Sequence, residues 1–487
     1  MRRFFLLLLF SLAVLLGGLA WYNYTHDELG ILNPDFSSRR ITAAENFVKT
    51  RYILDSPGKY DAFCFGSSRV AVLPLTEIDD GCRWYNMSYQ AGTPAEWLQT
   101  LRYFVKGGVT VKTVLIGLDD VAFRIDPQDH VREFGDKVPY RPHDIETYLR
   151  LLFRKPEPPR PADFVYDNGI YFDIYGTGNT PYPWRDEAIE QDPAKHRAKE
   201  TFLHSAARTE NRMDAAMQDI ADLCAFAKAH GIRLIFYMNP LWQATYIDND
   251  PAELDAFRRR LAELTDYYDF SGLNDVATDP YNFYEESHFR PFLGRKILQR
   301  IFGDAPEAPE GFGVYVTKDN VEAHIAMLAQ QQQRWELSHP DFRNEMNYLR
   351  QFGTWHPPAL RGTVRQDIRL YGHIDQMNGA EPKGTMAWPQ QGPLKATGWL
   401  LPGEGALEEA AAVLRSTDGT DWYLKAGPIP RPDVNRMANL GADVRTGFQI
   451  DARRGELPAG TYTLSFLARL TDGTLVSSGD ILTLQVP

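Results

Sequence analysis

An uncharged apolar run opens the chain. It extends from Phe4 to Tyr22 and follows Arg2 and Arg3. Its length is close to the roughly 20 apolar residues that cross a bilayer and exceeds the roughly 7 to 15 of a typical signal peptide. The run therefore predicts an uncleaved membrane anchor over residues 1–25, with its basic end in the cytoplasm. Cleavage near Ala20, beside small residues that suit a signal peptidase, remains the alternative.

No second apolar run of spanning length follows the first. The pattern predicts a single-pass protein of the inner (cytoplasmic) membrane, with the bulk of the chain periplasmic or otherwise extracytoplasmic.

Short apolar runs alternate with helical patterns between residues 40 and 310. The short runs predict strands at 60–66, 82–89, 111–116, 232–238 and 267–270, and apolar residues at helical spacing predict helices at 41–54, 93–106, 211–230 and 252–264. Thr93 and Glu96 form a capping box around Pro94 at the start of the second helix. Strands alternating with helices predict an α/β domain with a mostly parallel sheet, and sites in such sheets lie at the carboxyl ends of the strands.

Three further segments complete the predicted domain organisation. An insertion at about 125–208 contains a proline-rich stretch at 156–161 and an aromatic, glycine-rich stretch at 166–184. Such an insertion either shapes a binding cleft or elaborates the surface, and both readings remain open. Residues 311–354 have helical propensity and are interpreted as a connector. Residues 355–487 form short strands punctuated by glycine, which predicts an all-β sandwich domain.

Composition narrows the possible functions. The chain has 64 acidic and 52 basic residues, a net charge of −12 and a pI near 5.5, which argues against a general nucleic-acid binder. Its three cysteines, Cys64, Cys82 and Cys224, form no CxxC pair, so a disulfide framework, structural zinc and an iron–sulfur cluster are not expected. Export would permit one disulfide, but the sequence does not indicate its pairing. No metal or organic cofactor is required.

Four short motifs carry the chemical signal. They lie at 65–69 after the first strand, 85–92 after the second, 116–119 at the end of the third, and 284–291 before the last helix of the α/β domain. Because the carboxyl ends of parallel strands meet at one edge of a sheet, we expect these motifs to converge there. Asn239, after the fourth strand, borders the same cleft.

These motifs resemble those of the SGNH (GDSL-like) hydrolase superfamily over roughly residues 55–303. Gly66-Ser67-Ser68 matches the first block with serine for aspartate, and Gly92 matches the second-block glycine. His288 preceded by Glu285 matches the Asp-x-x-His block with glutamate for aspartate, whereas Asp119 replaces the asparagine of the third block. The resemblance implies a three-layer sandwich. The Gly-Ser-Ser form is similar to that of membrane-anchored envelope proteins, including those of alginate and cellulose O-acetylation and teichoic-acid D-alanylation.

The resemblance implies a catalytic role for Ser68, His288 and Glu285. A serine hydroxyl is a weak nucleophile and needs a base, which would be His288, oriented by Glu285. The amides of Ser68 and Gly92 would bind the oxyanion. An ionised Asp119 only accepts hydrogen bonds, so it would act there only if protonated. It would otherwise serve another role, such as positioning Arg69 or a substrate hydroxyl.

The sequence leads to two functional hypotheses. The first is an extracytoplasmic serine acyltransferase or esterase that acts on O-acyl groups of a cell-envelope or exported polysaccharide. By resemblance, a membrane-bound O-acyltransferase would be its partner and acyl donor. The alternative is a catalytically weak SGNH scaffold that binds glycan or assembles an export or acetylation complex, and Glu285 and Asp119 favour it. A lipid esterase is a third possibility and would need an apolar acyl tunnel.

Aromatic residues of the predicted sandwich extend these hypotheses. Trp399, Trp422 and Tyr423 would either stack on sugar rings or belong to the core of a small β domain.

Overall fold

The computed structural model describes residues 2–27, 29–33, 44–128, 138–142, 144–156, 173–208, 210–303, 311–339, 342, 363–389, 393–438, 440–441, 444–452 and 457–487. The start of the helix predicted at 41–54, nearly all of the proline-rich stretch, the first residues of the aromatic stretch (166–172), and much of the connector's end lie outside these residues. The chain divides into two compact units, Met1–Ser338 and His339–Pro487.

A mostly parallel sheet organises the first unit. Its strands are β1 (Ala62–Gly66), β2 (Trp84–Asn86), β3 (Thr113–Leu118), β4 (Arg233–Met238), β5 (Tyr267–Asp269) and β6 (Val314–Val316). They lie in the order β2-β1-β3-β4-β5-β6, and every neighbouring pair is parallel except β5 and β6. The predicted mixed α/β fold with a mostly parallel sheet is confirmed.

Helices connect and cover these strands. They are α1 (Arg2–His26), α2 (Glu45–Asp55), α3 (Pro94–Lys106), α4 (Val121–Arg124), α5 (Ile145–Leu152), α6 (Pro183–Gln191), α7 (Pro193–Arg197), α8 (Met213–Ala229), α9 (Gln243–Asp248), α10 (Pro251–Leu264), α11 (Pro291–Phe302) and α12 (Val321–Ser338). The predicted capping box begins α3, where Glu96 accepts a hydrogen bond from the Thr93 amide at 3.2 Å. Both β6 and α12 lie in the segment interpreted from sequence as a connector.

The strand order reverses at β1, which has β2 on one side and β3 on the other. In the register of β1 with β3, Gly66 is paired with Gly117, so the two strands end at the same level. Loops that follow two neighbouring parallel strands at such a reversal form a crevice where α/β proteins bind ligands. The motifs at 65–69 and 116–119 therefore lie together at this edge.

The first helix stands apart from the core. No part of the apolar window of α1 is buried within the protein, and the helix is long enough and apolar enough to cross a membrane. A signal sequence has the same properties. The three cysteines are free thiols, so none of the disulfides that export would permit is formed.

β strands dominate the second unit. They are β7 (Val364–Arg365), β8 (Leu370–Met377), β9 (Thr385–Ala387), β10 (Leu394–Pro402), β11 (Leu407–Ser416), β12 (Asp421–Lys425), β13 (Gly427–Ile429), β14 (Gly447–Ala452), β15 (Gly460–Leu470), β16 (Leu475–Ser477) and β17 (Leu482–Val486), with one short helix, α13 (Pro432–Met437). One sheet has the order β13-β14-β10-β8, and the other contains β12-β11-β15-β16-β7 with β17 and β9. Phe448 of one sheet and Phe466 of the other contact each other in a shared core. Trp422 and Tyr423 pack partly buried against apolar clusters.

A buried ionic cluster lies at the end of β5. Asp269 accepts hydrogen bonds from Arg258 at 3.0 Å, His324 at 2.9 Å and Ser271 at 2.5 Å. Burial alone would raise the pKa of Asp269, but Arg258 and His324 outweigh it and hold this pKa well below its ordinary value. Asp269 is therefore a carboxylate whose charge stabilises the folded state.

Asp269→Asn is expected to lower the free energy of unfolding by about 3 kcal/mol at pH 7, because Arg258 then stays buried without this partner. A pKa lowered on folding gives stability that is present above the unfolded value of about 3.9 and is lost as the pH falls through the folded value. The variant should therefore lose less stability than the parent below about pH 4. Urea unfolding from pH 7 to pH 3 measures both effects, with exposed Asp275→Asn as the control. An equal acid dependence of parent and Asp269→Asn would refute this account.

Candidate active site

Ser68 begins a short helix immediately after β1. Ser67 caps this 3₁₀ helix, Ser68–Val72, by accepting a hydrogen bond from the Arg69 amide at 3.3 Å. As the first helical residue, Ser68 has an amide without an intrahelical acceptor, and this amide points out of the helix N-terminus. The Ser68 hydroxyl is half-buried and lies 2.9 Å from Nε2 of His288.

His288 and Glu285 complete a hydrogen-bond chain. Nδ1 of His288 lies 2.5 Å from Oε1 of Glu285, which also accepts the backbone amide of His288 at 2.8 Å. Burial would raise the pKa of Glu285, but hydrogen bonds from the ring and backbone of His288 hold it below its ordinary value. A carboxylate on Nδ1 favours the tautomer in which Nε2 faces Ser68 as an acceptor. The three residues thus have the connectivity of a serine–histidine–carboxylate triad.

The turn that carries Glu285 and His288 is held by Asp186 of α6. This carboxylate accepts hydrogen bonds from Tyr284 Oη at 2.5 Å and from Nε of buried Arg290 at 2.6 Å. Tyr284 and Arg290 flank the turn on either side, and the Tyr284 amide bonds to the His288 carbonyl at 2.8 Å. The insertion therefore contributes directly to the site, because α6 lies within it.

Sequence reasoning did not identify Asp186 as a functional residue. It lies about a hundred positions before Tyr284 and Arg290 and belongs to no local motif. The only sequence signal was the insertion itself, for which cleft formation and surface elaboration remained open.

Asp119, Arg69 and Asn239 meet beside Ser67 in a buried network. Oδ2 of Asp119 accepts hydrogen bonds from the Ser67 hydroxyl at 2.7 Å and from the Asn239 amide at 3.1 Å, and it lies 3.2 Å from Nη1 of Arg69. The same Arg69 nitrogen binds Asp120 at 2.7 Å. Asp119 thus anchors the loop before Ser68 and positions Arg69, one of the two roles expected for it apart from oxyanion binding. It presents acceptors and supplies no oxyanion donor in this arrangement.

Gly92 packs directly against the end of β1. A Cβ at this position would lie 2.7 Å from the Gly66 carbonyl oxygen and 2.8 Å from Nε1 of Trp97, so only glycine fits without a shift. The Gly92 amide donates to the Tyr89 carbonyl at 3.3 Å. The loop thus packs against Gly66, two residues before Ser68, and the Gly92 amide has a partner within the loop.

Buried Lys49 of α2 fastens this loop from behind. Its Nζ donates to the Ser88 carbonyl at 2.6 Å and lies 3.6 Å from Glu45. Burial lowers the pKa of Lys49, and the attraction of Glu45 only partly opposes this effect. Lys49 therefore joins α2 to the segment that ends at Gly92, and the sequence pattern did not single it out.

The described residues contain no group of three or more His, Cys, Asp or Glu side chains placed to hold a metal ion.

Comparison with known proteins adds little. No family model matches the chain, and no curated protein matches it. A solved structure from Streptococcus pneumoniae, named a "putative platelet activating factor", is similar over 53% of this chain and 90% of its own, with 10% identity and a TM-score of 0.28. A TM-score of this size does not establish a shared fold.

Proposed function

We propose that this chain is an SGNH-like serine acyltransferase or esterase that acts on O-acyl groups of a cell-envelope or exported polysaccharide. The observation that carries the proposal is the hydrogen-bond chain from Ser68 through His288 to Glu285 at the carboxyl edge of β1 and β3. A hydroxyl, a base and an orienting carboxylate in this geometry suit acyl transfer.

In the first half-reaction, His288 Nε2 removes the Ser68 proton as Oγ attacks the ester carbonyl. The carbon–oxygen bond to serine forms, and the carbonyl oxygen becomes an oxyanion facing the Ser68 amide. When the intermediate collapses, the ester bond breaks and His288 gives its proton to the departing alcohol. Glu285 stabilises the imidazolium between these two transfers.

In the second half-reaction, His288 takes a proton from water or a sugar hydroxyl, whose oxygen attacks the carbonyl carbon of the acyl-serine. The bond from that carbon to Oγ then breaks, and His288 returns the proton to Ser68. Water as the acceptor gives hydrolysis, and a sugar hydroxyl gives transfer. The family resemblance supports transfer to a polysaccharide, with a membrane-bound O-acyltransferase as donor. An extracytoplasmic location on the inner membrane agrees with the length and apolarity of α1.

The topology supports the SGNH assignment. The steps β2-α3-β3, β3-α8-β4 and β4-α10-β5 all advance in one direction across the sheet, whereas β1 to β2 runs the opposite way. Because such crossovers are right-handed, α3, α8 and α10 belong on one face and the Ser68–Val72 helix, with α11 against it, on the other. Two helical layers around a sheet are the three-layer arrangement that the resemblance implies.

Labelling of the full chain with a fluorophosphonate tests the proposal. We expect one adduct, located on Ser68 by mass spectrometry, and no labelling of Ser68→Ala. Ser287→Ala is the matched control. It removes a hydroxyl from the turn that carries Glu285 and His288, but Ser287 does not belong to the hydrogen-bond chain of Ser68, His288 and Glu285. Unlabelled protein would then be assayed for acyl transfer and hydrolysis, with acetylated oligosaccharides as donors and acceptors. A folded wild-type protein that takes no label would refute the serine mechanism.

One feature favours the scaffold alternative. Asp119 faces Ser67, Arg69 and Asn239, and the Gly92 amide bonds to Tyr89, so the donors aimed at an oxyanion are fewer than the family pattern implies. Loss of one such donor typically lowers the rate about 100- to 1000-fold. A glycan-binding scaffold would bind acetylated oligosaccharide in calorimetry while Ser68 stays unlabelled.

A further inference from the structure

Helix α5 of the insertion has apolar side chains on its outer face. Ile145, Leu149 and Phe153 follow one another at four-residue intervals and are 70%, 50% and 43% exposed. Residues at this spacing lie along one side of a helix. The opposite side is already used, because Tyr148 and Leu151 belong to an apolar cluster with Leu29 and Ile31. The three exposed side chains, here called the exposed stripe, therefore do not take part in this core cluster.

Helix α5 is attached to the end of α1. The side-chain amide of Asn23, buried in α1, donates to the carbonyls of Leu152 at 2.8 Å and Arg154 at 3.0 Å. These carbonyls lie at and just beyond the C-terminus of α5, where helical carbonyls lack intrahelical partners. The cluster with Leu29 and Ile31, just after α1, makes a second connection. Both contacts hold α5 beside the last turn of α1.

The last turn of α1 lies where the apolar run of the sequence ends. At about 1.5 Å per residue, the 19 residues from Phe4 to Tyr22 span about 28 Å, close to the roughly 30 Å of a bilayer's hydrocarbon core. Trp21 and Tyr24 are exposed on α1 at this level, and such aromatic residues favour the membrane–water boundary. Asn23 is therefore placed at the boundary, and α5 with it.

The charges around α5 fit the same location. Arg150 and Lys155 are exposed on α5 and just beyond it, against one exposed acidic residue of the helix, Glu146 in its first turn. Basic side chains next to an apolar helical stripe are typical of helices that lie in the surface of an anionic bilayer.

We propose that α5 is a membrane-surface helix, with Ile145, Leu149 and Phe153 inserted among the lipids of the bilayer that α1 crosses. This inference goes beyond the proposed enzymatic function and does not depend on it. The occupant is lipid rather than another protein because α5 is attached to the last turn of α1, where Trp21 and Tyr24 are exposed at the end of an apolar helix of bilayer-spanning length. The first unit would then contact the membrane at two places, α1 and α5.

Depth-dependent quenching tests the proposal on the full chain in nanodiscs that contain phosphatidylglycerol. Single cysteines at Leu149 or Ile145 carry an environment-sensitive fluorophore, in a background of Cys82→Ser and Cys224→Ser. Cys64 is fully buried, and burial raises the pKa of its thiol, so it can remain. Lys228→Cys, at an exposed position near the end of α8, is the matched control.

We expect nitroxide-labelled lipids to quench the probes at 149 and 145 at least about twofold, since membrane-surface helices insert about 5–10 Å, and to leave the probe at 228 nearly unchanged. Because the nitroxide is attached to the lipids, quenching of these probes identifies lipid as the occupant. Equal quenching at all three positions, in variants with the parent melting temperature, would overturn the proposal. So would a mass showing that the membrane-extracted chain has lost α1.

Discussion

His288→Ala is expected to lower the rate of Ser68 acylation by about 10⁴- to 10⁶-fold, because no other described group lies within hydrogen-bonding distance to take the Ser68 proton. The second-order rate of fluorophosphonate labelling measures this loss. His288 is one-third exposed, so its removal should leave the melting temperature within a few degrees of the parent value. Labelling at the parental rate would show that Ser68 is activated in another way.

Glu285→Gln tests whether the orientation of His288 matters for the rate, because His288 itself stays in place. The glutamine keeps the shape of the side chain, but it loses the charge that stabilises the imidazolium, and its amide can donate to Nδ1 and favour the wrong tautomer. We expect a loss of about 10²- to 10⁴-fold in the labelling rate. Because the pKa of Glu285 is held below its ordinary value, its ionisation should cause no rate change above about pH 5.

Asp186→Asn is expected to lower the labelling rate about 10- to 100-fold, although it leaves Ser68, His288 and Glu285 unchanged. Asp186 binds Tyr284 and Arg290 on both sides of the catalytic turn, and small displacements of a catalytic group can lower rates by this amount. Glu187→Gln is the matched control, because Glu187 is the next residue of α6 and, among the described residues, its side chain bonds to Gln191 of the same helix alone.

The readout must separate positioning from folding. Tyr284→Phe removes one of the two hydrogen bonds to Asp186 and should give a smaller loss than Asp186→Asn. A reduced rate at an unchanged melting temperature in both variants would support a positioning role. Equal rates for Asp186→Asn and Glu187→Gln would instead show that α6 only covers the turn.

The sequence predicted the parts of the site that depend on local pattern. β1 and β3 are continuous apolar runs, so the residues that follow them, Ser68 and Asp119, could be placed at one edge of a sheet. The motif at 284–291 was identified by its spacing of Glu285 and His288, which matches the Asp-x-x-His block of the resembled family. Each of these predictions depends only on a short motif of consecutive residues and on the strands that hydrophobic periodicity predicts beside it.

Long-range pairings could be predicted only in part: positioning of Arg69 was one role offered for Asp119, but its contact with Asn239 was not. The direction of the Asp119 carboxylate depends on Arg69 and Asn239, which approach from other loops, 50 residues before it and 120 after it. Strand β2 covers only Trp84–Asn86 of the predicted 82–89, and the Met87 amide makes the last bond to β1, at the Cys64 carbonyl. Strand β6 has only three residues, and its place in the sheet follows from antiparallel pairing with β5.

Cys64 lies in the middle of β1, two residues before the glycine that precedes the Ser67–Ser68 pair, and it is fully buried. Oxidants or alkylating reagents can reach its sulfur only when β1 leaves the sheet. The same event removes Ser68 from His288, since both depend on the position of this strand. Chemical modification of Cys64 therefore reports the fraction of molecules in which Ser68 is separated from His288.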